Sequence, residues 1–206
     1  AAGIVAALTV SRALGEENII TLDMGGTSTD VSLVMGGKPR LSTEGKVGGL
    51  ALGIPTLEIV SVGAGGGSIA WQDRGGLLRV GPQSAGADPG PACYGRGGTE
   101  PTVTDAQVVR GIIRETQFIG GRFTLRHDLA ARAIDALGSR LRLDRQRTAD
   151  AIVKIANNNM IQAVRVVSAE RGYDPRDYTL VAFGGAGPLH AADMADELGM
   201  RRVMVP

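Results

Sequence analysis

The spacing of apolar positions changes several times along the chain. From Ala1 to Gly15, Ile4, Val5, Leu8 and Leu14 recur on one side at helical spacing, and Gly15 is a natural stop. Ile19–Asp23 and Thr29–Met35 read as short strands. Gly36-Gly37 reads as a hairpin turn, and Lys38–Lys46 as a third, more polar strand, antiparallel at this end. The pattern then breaks between about Val47 and Arg147. The first half of that segment is rich in Gly and Pro. The second half predicts a helix from near Thr104 (Val108, Val109, Ile112, Ile113) and another over Arg126–Leu137 (Leu129, Ala133, Ile134, Leu137). Thr148 is placed to cap a long helix running to Arg171, with Ile152, Ile155, Ala156, Ala163 and Val167 on one face and Gly172 as stop. Thr179–Phe183 predicts a strand, Gly184–Gly187 a glycine turn, Pro188–Leu198 a helix opening on Pro, and Arg202–Val205 a closing strand.

The order β-β-β, insertion, α-β-α-β predicts an α/β fold: a mixed sheet covered by helices, with residues 47–147 as an insertion subdomain. A chain of 206 residues with 43% hydrophobic content can bury a core of its own. Its 31 glycines and 3% aromatics argue against a helix bundle and for many tight turns. A net charge of +1 gives no sign of nucleic acid or an anionic membrane surface as partner. No apolar run reaches the roughly 18 residues of a membrane helix, and Ala1–Val10 lacks the basic start of a signal peptide. The single Cys93 excludes an internal disulfide and fits a reducing, cytoplasmic setting. Both ends run through apolar segments, which predicts an excised piece of a longer protein.

The candidate chemistry centres on Thr21–Asp30, TLDMGGTSTD: strand, acid, two glycines, hydroxyls, second acid, strand. Such a turn can offer backbone N–H groups and hydroxyls to a phosphate, while an acid at a strand end faces a hydrated divalent cation. Asp23 is the metal candidate, with a turn-capping acid as the plain alternative. Gly25 and Gly26 permit close backbone approach. Thr27, Ser28 and Thr29 either donate to phosphate or cap the turn. Asp30 orients metal-bound water or bonds to backbone.

The wider text has a family character. TLDMGGTSTDV resembles the phosphate loop, and LVAFGGAGPLHAA the adenosine loop, of the actin, sugar-kinase and heat-shock ATPase superfamily, whose half-domain is ribonuclease-H-like. SVGAGGGSIAW (61–71), GPQSAGADPGPACYGRGGTEPTVTDA (81–106) and NNNMIQAVRVVSAERGYDPRDYTLVAFGGAGP (157–188) resemble the hydantoinase A/5-oxoprolinase family over essentially the whole chain. Relatives include N-methylhydantoinases, 5-oxoprolinase and subunits of acetone-type carboxylases.

The resemblance implies an ATP-dependent hydrolase that opens a cyclic amide of the hydantoin, N-methylhydantoin or 5-oxoproline type, with Mg or Mn as divalent cation. It implies that Asp23 and Asp30 are catalytic and that Asp23 holds the metal. The nucleotide would lie on Gly25, Gly26, Thr27, Ser28 and Thr29, and on Gly184, Gly185, Ala186 and Gly187. Asp88, Cys93 and His190 are substrate-site candidates, although a structural Cys and a packed His are the plainer readings. Arg96 and Glu100 are further candidates for sensing the substrate, and His127 reads as surface. Gly63–Ser68 reads as an anion loop or a flexible lid. Asn157, Asn158 and Asn159 read as polar contacts from the long helix. Family members carry a second D-G-G-T hairpin in an N-terminal domain, and none is present here. The chain would then be the central part of a hydantoinase A domain. It would supply one wall of the site and be inactive alone, with the N-terminal domain and a hydantoinase B-like subunit as partners. The alternatives are an acetone- or acetophenone-type carboxylase subunit, a small-molecule kinase, and a non-catalytic interaction module.

Overall fold

The structure is a computed structural model that describes residues 2–42, 46–47, 50–51, 53–116 and 118–206. In chain order it runs α1 (Ala2–Ala13), β1 (Ile19–Met24), β2 (Thr29–Met35), β3 (Lys38–Pro39), β4 (Leu41–Ser42), β5 (Lys46–Val47), β6 (Leu50–Ala51), β7 (Thr56–Leu57) and β8 (Val60–Val62). There follow β9 (Ser68–Gln72), β10 (Leu78–Ser84), α2 (Val103–Val109), α3 (His127–Leu141), α4 (Arg145–Val167), β11 (Thr179–Phe183), α5 (Pro188–Leu198) and β12 (Arg202–Met204). The chain divides into two compact units: residues 1–23, 30–61 and 161–206, and residues 24–29 and 62–160. Among the described residues no helix is long and apolar enough to cross a membrane.

The first unit is built on a mixed six-stranded sheet of order β12-β11-β1-β2-β3, with β8 also paired to β2. β11 runs parallel to β1 and to β12, while β3 runs antiparallel to β2. Ile19, Ile20 and Leu22 of β1 and Leu180, Val181 and Ala182 of β11 are fully buried, as near-continuous apolar strands covered on both faces should be. Ile4, Ala7 and Leu8 of α1 pack with Ile19, Val34 and Val181. Val5 and Leu14, counted on the apolar side from spacing alone, are exposed. Gly36 and Gly37 both have positive φ, the conformation a tight two-residue hairpin demands.

The third strand is shorter than its sequence suggests. At Arg40 the backbone changes partner: its N–H donates to Leu33 C=O, while its C=O accepts from Glu58 N–H. β4 then pairs with β7 instead of extending β3. Residues 43–45 of the expected strand lie outside the described residues.

The second unit contains the β9–β10 hairpin and α2 and α3. Cys93, Val108, Leu125 and Ala130 form one core cluster in it, flanked by Tyr94, Phe118 and Phe123, whose rings meet one another edge-on or tilted. α2 ends at Val109 because Gly111 takes positive φ, so Ile112 and Ile113 fall outside the helix. The start of α4 also corrects the expected cap. Asp144, not Thr148, accepts the Arg147 N–H, at 2.8 Å, and Thr148 lies inside the helix with its hydroxyl on Asp144 C=O. α4 stops at Val167, and a single tighter turn at Ala169–Arg171 leads to Gly172 with positive φ. Asn159 Nδ2 donates to Val80 C=O at 3.2 Å, a polar contact of the kind expected for the Asn run.

Candidate nucleotide and metal site

β1 delivers Asp23 to the sheet edge, where its register partner on the parallel strand β11 is Phe183. The Gly184–Gly187 turn follows directly. The acid and the second glycine turn therefore share the carboxyl end of adjacent parallel strands, where open α/β sheets place their ligands. Asp23, Asp30, Thr21 and Ser32 line a hollow of about 20 Å³, closed by Gly3, Ile59 and Phe183. That is room for about one water.

Asp23 is half-buried. Burial raises its carboxyl above the ordinary value of 3.8, and the negative charge of Asp30 raises it further. Asp30 Oδ1 accepts a hydrogen bond from the Ser61 hydroxyl at 2.6 Å. Beside them the Thr21 and Ser32 hydroxyls are 2.6 Å apart and buried. Gly3 lets α1 come close, since a Cβ there would overlap the Phe183 ring and lie 3.2 Å from Asp23 Oδ2. Two mutually repelling, partly desolvated carboxylates suit a divalent cation. Among the described residues no cluster of three or more His, Cys, Asp or Glu exists, so a cation here would keep most of its waters, as Mg²⁺ prefers.

The glycine turn after β1 lies in the second unit. Gly25 N–H donates to Ser28 C=O at 3.0 Å. Gly26, Thr27 and Ser28 are exposed, and their N–H groups have no acceptor among the described residues. This is the donor pattern of an anion-binding nest. Thr29 differs from its neighbours: it is fully buried, and its hydroxyl donates to Ala64 C=O.

Gly184 has positive φ, and nothing crowds Gly185. Gly187, which precedes α5, is enclosed: a Cβ there would overlap Phe183 O and lie 3.2 Å from Leu22 O. Gly187→Ala must therefore move the turn or the helix start. We expect a loss of about 1–3 kcal/mol in stability, measurable as a lowered unfolding temperature, and weaker nucleotide binding by titration. His190 is fully buried in α5, with its N–H on Gly187 C=O at 3.1 Å.

Of the remaining candidates, Asp88 is exposed on its loop. Cys93 is enclosed, and burial, followed by the nearby Asp105 carboxylate, pushes its thiol far above the usual range. A thiol so held stays protonated and is a poor nucleophile. Arg96 lies over the Phe123 ring, 5.3 Å from its centre.

Asp105 was not singled out by sequence reasoning, yet it organises this loop. It is fully buried and accepts from the N–H groups of Ala92, Cys93 and Thr102 and from the Thr102 hydroxyl, at 2.7–3.2 Å. Thr102 in turn accepts from Asp105 N–H, which closes a capping box on α2. The signal was present as Thr102-Val-Thr-Asp105, the T-x-x-D form of a helix start.

The family model "Hydantoinase/oxoprolinase" matches residues 1–206. The alpha subunit of caprolactamase from Pseudomonas jessenii is 43% identical over 205 residues, covering 98% of this chain and 29% of that protein. The gamma subunit of acetophenone carboxylase from Aromatoleum aromaticum is 42% identical over 200 residues, covering 96% of this chain and 27% of that protein. The crystal structure of the ATP-dependent caprolactamase from Pseudomonas jessenii superposes with a TM-score of 0.88 at 43% identity, again over 98% of this chain and 29% of that one. The chain thus spans less than a third of the length of each. With a family model matched from end to end and a shared fold, the chain belongs to the hydantoinase/oxoprolinase family.

Proposed function

We propose that this chain is part of an ATP-dependent hydrolase that opens a cyclic amide, and that it carries one wall of the nucleotide and metal site. The observation that carries this reading is the pairing of Asp23 with Phe183, which sets the acid pair and the Gly184–Gly187 turn side by side at the carboxyl end of β1 and β11. The caprolactamase relative supports a lactam-type substrate. The strand order β3-β2-β1-β11-β12 supports assigning the sheet to the ribonuclease-H-like half-domain. In this reading residues 1–206 are a central portion of a larger hydantoinase A domain, and 47–147 are its insertion. The site is completed by the N-terminal domain and a hydantoinase B-like partner subunit, in the cytoplasm.

ATP supplies a phosphoryl group that activates the otherwise unreactive amide oxygen. The chain's own residues position and neutralise charge. Asp23, with Asp30 beside it, would hold a hydrated divalent cation, whose charge would offset that of the phosphates. The exposed amides of Gly26, Thr27 and Ser28, with the Thr27 and Ser28 hydroxyls, receive phosphate oxygens. Gly184, Gly185 and Ala186 give the nucleoside a backbone surface before α5, and the enclosed Gly187 lets that turn pack against Phe183 and Leu22.

A carboxylase subunit is the second reading, favoured by the 42% identity to the acetophenone carboxylase subunit. Product analysis of the full-length protein with its partner separates the two. The test offers ATP with caprolactam, 5-oxoproline or hydantoin, and in parallel acetone or acetophenone with bicarbonate. Ring-opened amino acid is the expected product. Carboxylated ketone would transfer the assignment to the second reading, and a stable phosphorylated product would overturn both.

A further inference from the structure

The glycine loop Gly63–Ser68 has neither of the uses its sequence suggests. Its N–H groups are already committed: Ala64 to Val62 C=O, Gly65 to Ser68 Oγ, Gly66 to Gly25 C=O, Gly67 to Gly26 C=O and Ser68 to Gly65 C=O, all within 2.6–3.0 Å. Residues 64–68 are buried. No donor from Ala64 to Ser68 remains for an anion, and a segment so bonded is not a loose lid.

The bonds from Gly66 and Gly67 grip the backbone of the 25–29 turn, and the Thr29 hydroxyl donates back to Ala64 C=O. The approach is close enough to require glycine. A Cβ on Gly65 would stand 2.6 Å from the backbone N and C of Thr27, and one on Gly67 would stand 2.9 Å from Gly26 O. Real Cβ atoms do not tolerate such contacts with backbone, so a side chain at Gly65 must displace the turn. From the far side, Thr104 N–H and Oγ1 both donate to Gly66 C=O at 2.8 Å. Thr104 sits in the first turn of α2, which the Thr102–Asp105 box fixes. These contacts all lie within the second unit.

We propose that Gly63–Ser68 is the positioning element of the phosphate turn, with Gly65 and Thr104 as positioning residues. By holding Gly25 and Gly26 through their carbonyls, the loop leaves the N–H groups of Gly26, Thr27 and Ser28 facing outward in a fixed arrangement before nucleotide arrives. The ordering entropy is then met on folding rather than on binding. The proposal rests on the nucleotide reading above.

The test uses full-length Gly65→Ala, Thr104→Val and Thr104→Ser. Thr104→Val keeps the shape and removes only the hydroxyl, and Thr104→Ser restores it. Hydrogen exchange of the bonded amides of the 24–30 segment, Gly25 among them, should without nucleotide be about tenfold faster in Gly65→Ala and about threefold faster in Thr104→Val, with β11 and α5 unchanged. The KM for ATP should rise by similar factors, with kcat changed much less, and Thr104→Ser should behave as wild type. Folded Gly65→Ala with unchanged exchange at 24–30 and unchanged KM overturns the proposal, as does acceleration spread evenly over the protein. If Gly65→Ala does not fold, equal exchange in Thr104→Val and Thr104→Ser overturns it. Should the full-length protein turn over no ATP, the functional reading falls. Exchange then decides alone: a faster 24–30 segment in Thr104→Val than in Thr104→Ser upholds the positioning role.

Discussion

Asp23→Asn should lower ATP turnover by the full-length protein about 10²–10³-fold, the range seen when a charge-stabilising group is lost. The same change should raise the unfolding temperature of the cation-free protein at neutral pH. The two effects have one cause. Asp23 is partly desolvated and faces Asp30, so its folded pKa lies above its ordinary value. A group with a raised folded pKa contributes stability that is fully present below the unfolded value, near 3.8, and is lost as pH rises through the folded value. Above that window the ionised acid opposes folding, and the neutral amide of Asn removes the opposition. Melting curves across pH should therefore coincide for the two proteins in acid and separate upward from the carboxylate range. Mg²⁺ should raise the wild-type melting temperature at pH 7 and leave Asp23→Asn nearly unmoved. An Asp23 that only capped its turn would give the reverse: lower stability on substitution, and turnover largely kept.

Asp105→Ala should cause the largest loss of structure. The carboxylate satisfies the N–H groups of Ala92, Cys93 and Thr102 and the Thr102 hydroxyl in a fully buried setting, so its removal leaves all of these donors without partners and empties the space it filled. Deleting one partner of a buried charged network costs about 3–5 kcal/mol. Asp105→Asn keeps the volume but turns an NH₂ toward donors, and should cost roughly half as much. The local opening free energy of the 90–110 segment, from native-state hydrogen exchange, measures both. The expected order is wild type above Asn above Ala. Because Thr104 follows Thr102 in the same capped turn and bonds Gly66, the loosening should spread to residues 63–68.

Where sequence and structure part, the reason is local competition. The succession of β1, β2, α4, β11, α5 and β12 along the chain is legible because β1, β2 and β11 are buried apolar runs and because Pro188 opens α5. Lys38–Lys46 reads as one strand in sequence, since nothing in its composition shows that Arg40 C=O will bond Glu58 rather than β2. Ile112 and Ile113 continued a helical period that Gly111 ends. Around the candidate site, the glycine turns that follow β1 and β11, with Asp23 at the end of β1, are legible as turns after apolar strands. The division of labour within Thr27-Ser28-Thr29 is not, since only the fold shows that Thr29 turns inward to Ala64. Gly63–Ser68 was hardest. Six small residues look mobile in isolation, and the carbonyls that engage two of their N–H groups belong to a turn about 40 residues earlier in the chain.

The central claim, that this chain supplies the ATP wall of a cyclic-amide hydrolase, is tested most directly by phosphate release from ATP. The protein to use is the full-length one with its partner subunit, measured with and without caprolactam, 5-oxoproline and hydantoin, in wild type and in Asp23→Asn. One cyclic amide should stimulate release many-fold, ring-opened product and phosphate should appear in equal amounts, and Asp23→Asn should lower both about 10²–10³-fold. Release that no cyclic amide stimulates, or that survives unchanged in Asp23→Asn, would contradict the account.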